Sequence, residues 1–258
     1  MAFNPNQSYR TVQAGYAAYG SAALDAGLRA YMLRVYNWMA SGLVLTGLIA
    51  FAISHTALMS LFYQPIQTPA GVMLHPTILA YAAIFAPLAF VLVLSFGVNK
   101  LSTTAAQTLF WVFCATMGAS LTNIFMVYTE TSIAEVFFIT ASMFAATSLY
   151  GYVTGRDLTS WGSFFFMGLI GIIVAMLVNI FLHSPAVAFA ISILGVFIFL
   201  GLTAYDTQRI KTSYLQLGSA YGAATAGKRS VYDALQLYLN FINLFLFMLQ
   251  IFGQRSQR

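Results

Sequence analysis

Seven long apolar runs alternate with short polar breaks, at roughly 35 to 54, 77 to 98, 105 to 128, 132 to 153, 162 to 182, 186 to 205 and 231 to 252. Each supplies the ~20 residues that a helix needs to cross a bilayer core. The runs are continuous and rich in Leu, Ile, Phe, Ala and Met, unlike the short alternating strands of a transmembrane barrel. The expected fold is therefore an all-α integral membrane protein, a seven-transmembrane-helix bundle over residues 28–253. Residues 1–27 are polar and lack the apolar centre of a signal peptide, so they are expected to form a disordered tail, with a second short tail at 254–258. Leu28, Tyr31, Met32 and Val35 fall at helical spacing, which predicts a short interfacial helix leading into the first run. Pro76 and Pro185 precede their helices, whereas Pro87 lies inside one and predicts a kink.

Composition adds a limit and an orientation. Of 258 residues, 7% are charged, far below the ~25% of a soluble domain. The longest stretches between and before the runs, about 30 residues at the N-terminus, 55 to 76 and 207 to 230, leave no room for a soluble catalytic domain. The net charge of +5 follows from topology rather than nucleic-acid binding. Arg10, Arg29, Arg34, Lys100, Arg156, Arg209, Lys211, Lys228 and Arg229 all fall before the first run or in alternate loops, which places those segments and the N-terminus in the cytoplasm. Arg255 and Arg258 then lie on the wrong side; a last segment that re-enters and turns back would remove this conflict. The lone Cys114 reads as a small packing residue, and no internal repeat is evident.

The candidate chemistry is sparse. Asp206 closes the sixth run in GLTAYDTQRI, one of six acidic residues in the chain. In the seventh run Asp233, Gln236, Asn240, Asn243 and Gln250 are spaced 3, 4, 3 and 7 apart, a single helical stripe broken by Phe247. Polar groups inside membrane helices face the bundle interior or a water-filled cavity. The stripe can line a polar path, or serve as hydrogen-bonded glue at ~0.6 kcal/mol per contact. Asp206 can meet either Asp233 or Asn240, the latter ~10 Å deeper, and two carboxylates there could share a proton or a cation. Asp206 could instead pair with Arg209 one turn on, and Asp233 could simply answer the helix dipole near Lys228 and Arg229.

Elsewhere Asp157 reads as a helix cap, Glu130 as solvated, and Glu135 as a candidate for an outer mouth. His55, His75 and His183 are too far apart for a metal signature, so no firm metal site and no cofactor are expected beyond transient Ca²⁺ at Asp206. The nucleophile elbow, P-loop, HExxH, CxxC and EF-hand patterns are missing, which argues against an enzyme.

Four segments in order, VYNWMASGLVLTG (35–47), SLYGYVTGRDLTSWGSF (148–164), GLTAYDTQRIK (201–211) and ALQLYLNFINLFLFMLQIFG (234–253), resemble the Bax inhibitor-1 family, in its bacterial YccA-like branch. The resemblance covers about residues 30 to 253. It implies six helices around a central seventh in the bacterial inner membrane, and a pH-sensitive calcium leak. In that picture Asp206 matches the helix 6 aspartate, whose partner is a second aspartate in helix 7. Here the chain reads LYLNFINLF, so Asn240 takes that place, and the two-carboxylate switch lacks a member. The family also implies a basic gating partner near the end of helix 2, where Lys100 stands. Some bacterial relatives are linked instead to regulation of the membrane protease FtsH, which needs no conduction.

Overall fold

The computed structural model describes the backbone of residues 5–68, 71–97, 101–217 and 223–256, and side chains over 24–67, 74–93, 101–216 and 225–256. The chain runs α1 (Pro5–His55), α2 (Met59–Phe62), β1 (Tyr63–Thr68), β2 (Gly71–Pro76), α3 (Ile78–Gly97), α4 (Thr103–Ser120), a 3₁₀ turn (Leu121–Asn123), α5 (Ile124–Val127), α6 (Glu130–Val153), α7 (Thr159–Leu182), α8 (Pro185–Leu217) and α9 (Ala223–Phe252). Helix starts are capped where sequence permits: the Ser102 hydroxyl accepts from the Ala105 amide, and the Thr129 hydroxyl accepts from that of Ser132.

Among the described residues, six helices are long and apolar enough to cross a membrane: Leu24–His55, Thr103–Val127, Glu130–Val153, Thr159–Leu182, Pro185–Gln216 and Thr225–Phe252. The second expected run forms α3, whose described side chains make a shorter apolar helix, Ile78–Val93, with Pro87 inside it. The expected boundary between tail and bundle at residue 27 falls within α1, which has no proline after Pro5 to force a break. The expected interfacial lead-in is part of this same helix; Leu28, Tyr31, Met32 and Val35 are buried. The loop expected at 55 to 76 contains an antiparallel hairpin, pairing Tyr63 with Pro76 and Ile66 with Met73. Its strands are too short and too mixed to stand out beside the apolar runs.

Two boundaries differ in ways that matter for the site. Asp206 does not end its helix, because α8 continues three turns further to Leu217. Nothing in YDTQRIKTSYLQ forces a stop, and Thr207 returns its hydroxyl to the Thr203 carbonyl at 2.8 Å, satisfying itself within the helix. Likewise α9 begins at Ala223 and is unbroken to Phe252, without the turn that a re-entrant last segment needs. Beyond it the chain pairs with the α5–α6 connection: the Thr129 amide donates to the Gln254 carbonyl at 3.0 Å, and the Ser256 amide to that of Val127 at 2.9 Å.

The core lies along α9. Its apolar window is 61% buried, against 6% for α7, and it packs against α1, α4, α6 and α8, while α7 leans on α8 and α3 on α4. Contact between these helices depends on small residues. A Cβ on Gly151 would stand 2.2 Å from the Ala204 carbonyl oxygen, and one on Gly195 2.5 Å from the Phe247 ring. These glycines allow α6 and α9 to approach α8 closely.

Candidate functional site

Asp206 is buried, with 2% of its surface exposed. Its two carboxylate oxygens go to different partners. Oδ2 accepts from Asn240 Nδ2 of α9 at 2.7 Å, and Oδ1 faces Arg209 Nη2 at 3.0 Å, one turn along its own helix. Gln236, one turn before Asn240, also turns its side chain to this carboxylate. Arg209 is 44% exposed and stands over the Tyr205 ring at 5.8 Å. It forms part of the wall of a polar vestibule of about 520 Å³, shared with Arg156, Asp157, Gln208 and Lys211. The sequence of environments is thus solvent, guanidinium, buried carboxylate and buried amide.

The pairing of carboxylate with amide has a chemical consequence. An amide N–H donates to an ionised carboxylate without any shared proton, whereas two carboxylates at the same separation would need one between them. The Asp206–Asn240 contact is complete with Asp206 charged, and Arg209 supplies the opposite charge that a buried carboxylate requires.

Asp233 does not meet Asp206 directly. Its Oδ2 accepts from the Tyr31 hydroxyl of α1 at 2.6 Å, and Arg229, Arg209 and Asp206 lie near enough to act on it by charge alone. Tyr31 rests against Tyr214 of α8, ring centroids 4.9 Å apart. The rest of the stripe is tied off separately. Asn243 Nδ2 donates to the Leu239 carbonyl of its own helix at 2.8 Å, and Gln250 Oε1 accepts from Ser192 at 2.7 Å. Phe247, the break in the stripe, fills the space above Gly195. Neither Asn240 nor Asn243 lines any of the five principal cavities among the described residues. Lys100 lies outside the described residues, although Lys228 Nζ donates to the neighbouring Leu101 carbonyl at 3.2 Å.

Several partners were not anticipated from sequence. Beside Asp206, Thr207 donates to a backbone carbonyl, so its oxygen must accept from Ser148 at 2.9 Å, and Ser148 in turn accepts from Tyr36 at 2.6 Å. This hydroxyl chain links α8, α6 and α1. Tyr238 is buried and reaches Thr46 at 2.6 Å, whose hydroxyl donates to the Cys114 carbonyl. The weak clue to both is a hydroxyl placed on the apolar face of a helix.

Outside the spans, Asp157 Oδ1 accepts from the Thr159 amide at 2.9 Å and hydroxyl at 2.6 Å. These bonds hold its carboxyl below the usual range. It closes a turn one residue before the cap position of α7, which is Leu158 and has no side-chain cap bond, so the expected cap is displaced by one residue. His55 is not isolated: its Nε2 lies 2.9 Å from Glu130 Oε1, joining the end of α1 to the start of α6. Glu135 is exposed on α6 and lines none of the five principal cavities. Among the described residues no cluster of three metal-ligating side chains occurs.

Comparison with known proteins agrees with this arrangement of motifs. The family model "Inhibitor of apoptosis-promoting Bax1" matches residues 28–257. An uncharacterized protein of Rickettsia prowazekii is 46% identical over 231 residues, spanning 90% of this chain and 92% of its own. Inner membrane protein YbhL of Escherichia coli is 45% identical over 231 residues, covering 89% of this chain and 94% of its own. An uncharacterized membrane protein of Streptococcus pyogenes is 32% identical over 232 residues, 90% and 96% of the two chains. With its apolar helices and a family match over residues 28–257, the chain belongs to the Bax inhibitor-1 family of multi-pass membrane proteins.

Proposed function

We propose that this protein is a pH-sensitive calcium leak in its closed form, a seven-helix bundle with α9 at its centre and its N-terminus in the cytoplasm of a bacterial cell, seated in the inner membrane. The observation that carries this reading is the position of Asp206: buried, bound to Asn240 on one side and to the vestibule residue Arg209 on the other. Asp206 is the constriction. While ionised it holds α8 to α9 and neutralises Arg209; protonation removes the charge that faces Arg209, and a bound cation would compete with Arg209 and Asn240 for the carboxylate oxygens. Oxygen ligands of the kind Asp206, Asn240 and Gln236 offer suit Ca²⁺, which would bind in passing rather than reside. Because Asn240 does not titrate, Asp206 acts as a single carboxylate.

The test is Ca²⁺ flux into liposomes carrying the purified protein. The reading predicts flux above empty liposomes and a changed rate for Asp206→Asn. No flux at any pH from about 5 to about 8 refutes it.

A specific observation favours a second reading. Asn240 is buried and spent on Asp206 across the α8–α9 contact, Asn243 bonds within its own helix, and neither lines any of the five principal cavities among the described residues, which suits a non-conducting regulator that binds a membrane protease such as FtsH through its cytoplasmic segments. That reading predicts co-purification with the protease, lost when residues 1–24 are deleted while the bundle stays folded.

A further inference from the structure

α1 and α6 are neighbours that do not pack along their lengths. They touch through side chains, Tyr36 with Ser148 near one end and His55 with Glu130 at the other. Alongside the Tyr36–Ser148 tie and on toward Glu130 runs a slot floored by Phe241 of α9. Its larger chamber, about 670 Å³, extends from Arg29 to Val44 on α1 and from Tyr152 to Phe137 on α6. Sixteen residues of helix on each wall give it a length of ~22 Å, more than one leaflet of a ~30 Å hydrocarbon core. A second chamber of about 410 Å³ continues past Phe137 and Phe241 toward Glu130. Ala40, Ala141 and Ala145 line the larger chamber where bulkier side chains would fill it.

The lining is graded. Arg29 and Tyr152 stand at one end, the bonded Tyr36 and Ser148 lie further in, and the rest is hydrocarbon. Arg29 is exposed and makes no ion pair among the described residues. We infer that this slot binds one acyl chain of an anionic phospholipid, with the headgroup phosphate against Arg29 at the membrane surface. The volume lies within the ~300–1,000 Å³ of ligand sites. A peptide is a poor occupant, since its backbone amides would meet no partners along the apolar length. An acyl chain carries no such groups, and the unpaired guanidinium selects a negative head. The inference does not depend on whether the protein conducts.

The experiment is native mass spectrometry of the purified full chain with dioleoylphosphatidylglycerol or dioleoylphosphatidylcholine added to the detergent. The wild type is expected to retain phosphatidylglycerol preferentially. Ala145→Trp, which fills the slot, should lower that retention about tenfold, and Ala40→Phe does the same from the opposite wall should the first variant fail to fold. Arg29→Gln, on the surface, should keep acyl-chain binding but lose about fivefold in preference for the anionic head, the worth of ~1 kcal/mol for one basic residue near such lipid. Equal retention of the two lipids by the wild type, unchanged retention when the slot is filled, or an unchanged preference in Arg29→Gln overturns the inference.

Discussion

Asn240 of α9 donates its side-chain amide to the carboxylate of Asp206 on α8 at 2.7 Å, and both residues are 2% exposed. This contact joins the two helices at a point where neither side chain can turn to water instead. Losing one partner leaves the other buried and unsatisfied, which is why such a contact has two stable conditions, made or fully released, and few between.

Asp206→Asn keeps an oxygen that can accept from Asn240 but removes the charge that faces Arg209. Because Arg209 is half-exposed, it can turn to solvent, so the stability cost is about 1–2 kcal/mol, seen as a modest loss of melting temperature in detergent. Ca²⁺ flux at neutral pH should rise. A flux equal to wild type contradicts Asp206 as the constriction.

Gly151→Ala tests the close approach behind the site. Its Cβ would press on the Ala204 backbone, which no rotamer change relieves. The variant should lose about 1–3 kcal/mol, whereas Gly47→Ala, where the added methyl meets nothing, should match or exceed the wild type. Thermal unfolding of the two side by side decides it.

Tyr31→Phe removes the donor to Asp233 and should cost about 1–3 kcal/mol. In a cycle with Asp233→Ala the two effects should fall short of additive, since each variant removes one side of the same bond. Additive costs would mean that the Tyr31–Asp233 contact contributes little.

Asp157 carries a pH prediction outside the membrane. Thr159 holds its carboxyl below the ordinary carboxylate range, so the Asp157–Thr159 turn is in place above that range and is lost only as pH falls through the lowered value. Hydrogen exchange at the Thr159 amide should stay slow from neutral pH down to about 4, and Asp157→Ala should speed it throughout.

Much of this arrangement was legible in the sequence because membrane helices are read from length and apolarity alone. The Asp206–Arg209 pair follows from helical spacing, whereas Asn240 as the residue opposite Asp206 comes from the family resemblance, since depth along the helices leaves Asp233 open as well. The end of α8 was not legible, since polarity after Asp206 marks the edge of an apolar run but not the end of a helix. Tyr31, Tyr36 and Tyr238 were hidden for a related reason: a tyrosine on a buried face reads as a ring, and only packing reveals where its hydroxyl goes. The polar stripe of α9 is real as a face, but its members answer to Asp206, Tyr31, Ser192 and the backbone separately, which spacing within one helix cannot distinguish.

The central claim is that Asp206 acts as a lone carboxylate because its neighbour is an amide. Its most direct test is Ca²⁺ flux from about pH 5 to about pH 8, comparing wild type with Asn240→Asp. The substitution places two carboxylates in hydrogen-bond contact, which hold together only while they share a proton. Flux should depend steeply on pH in Asn240→Asp and only shallowly in the wild type. Identical profiles for the two proteins would contradict it.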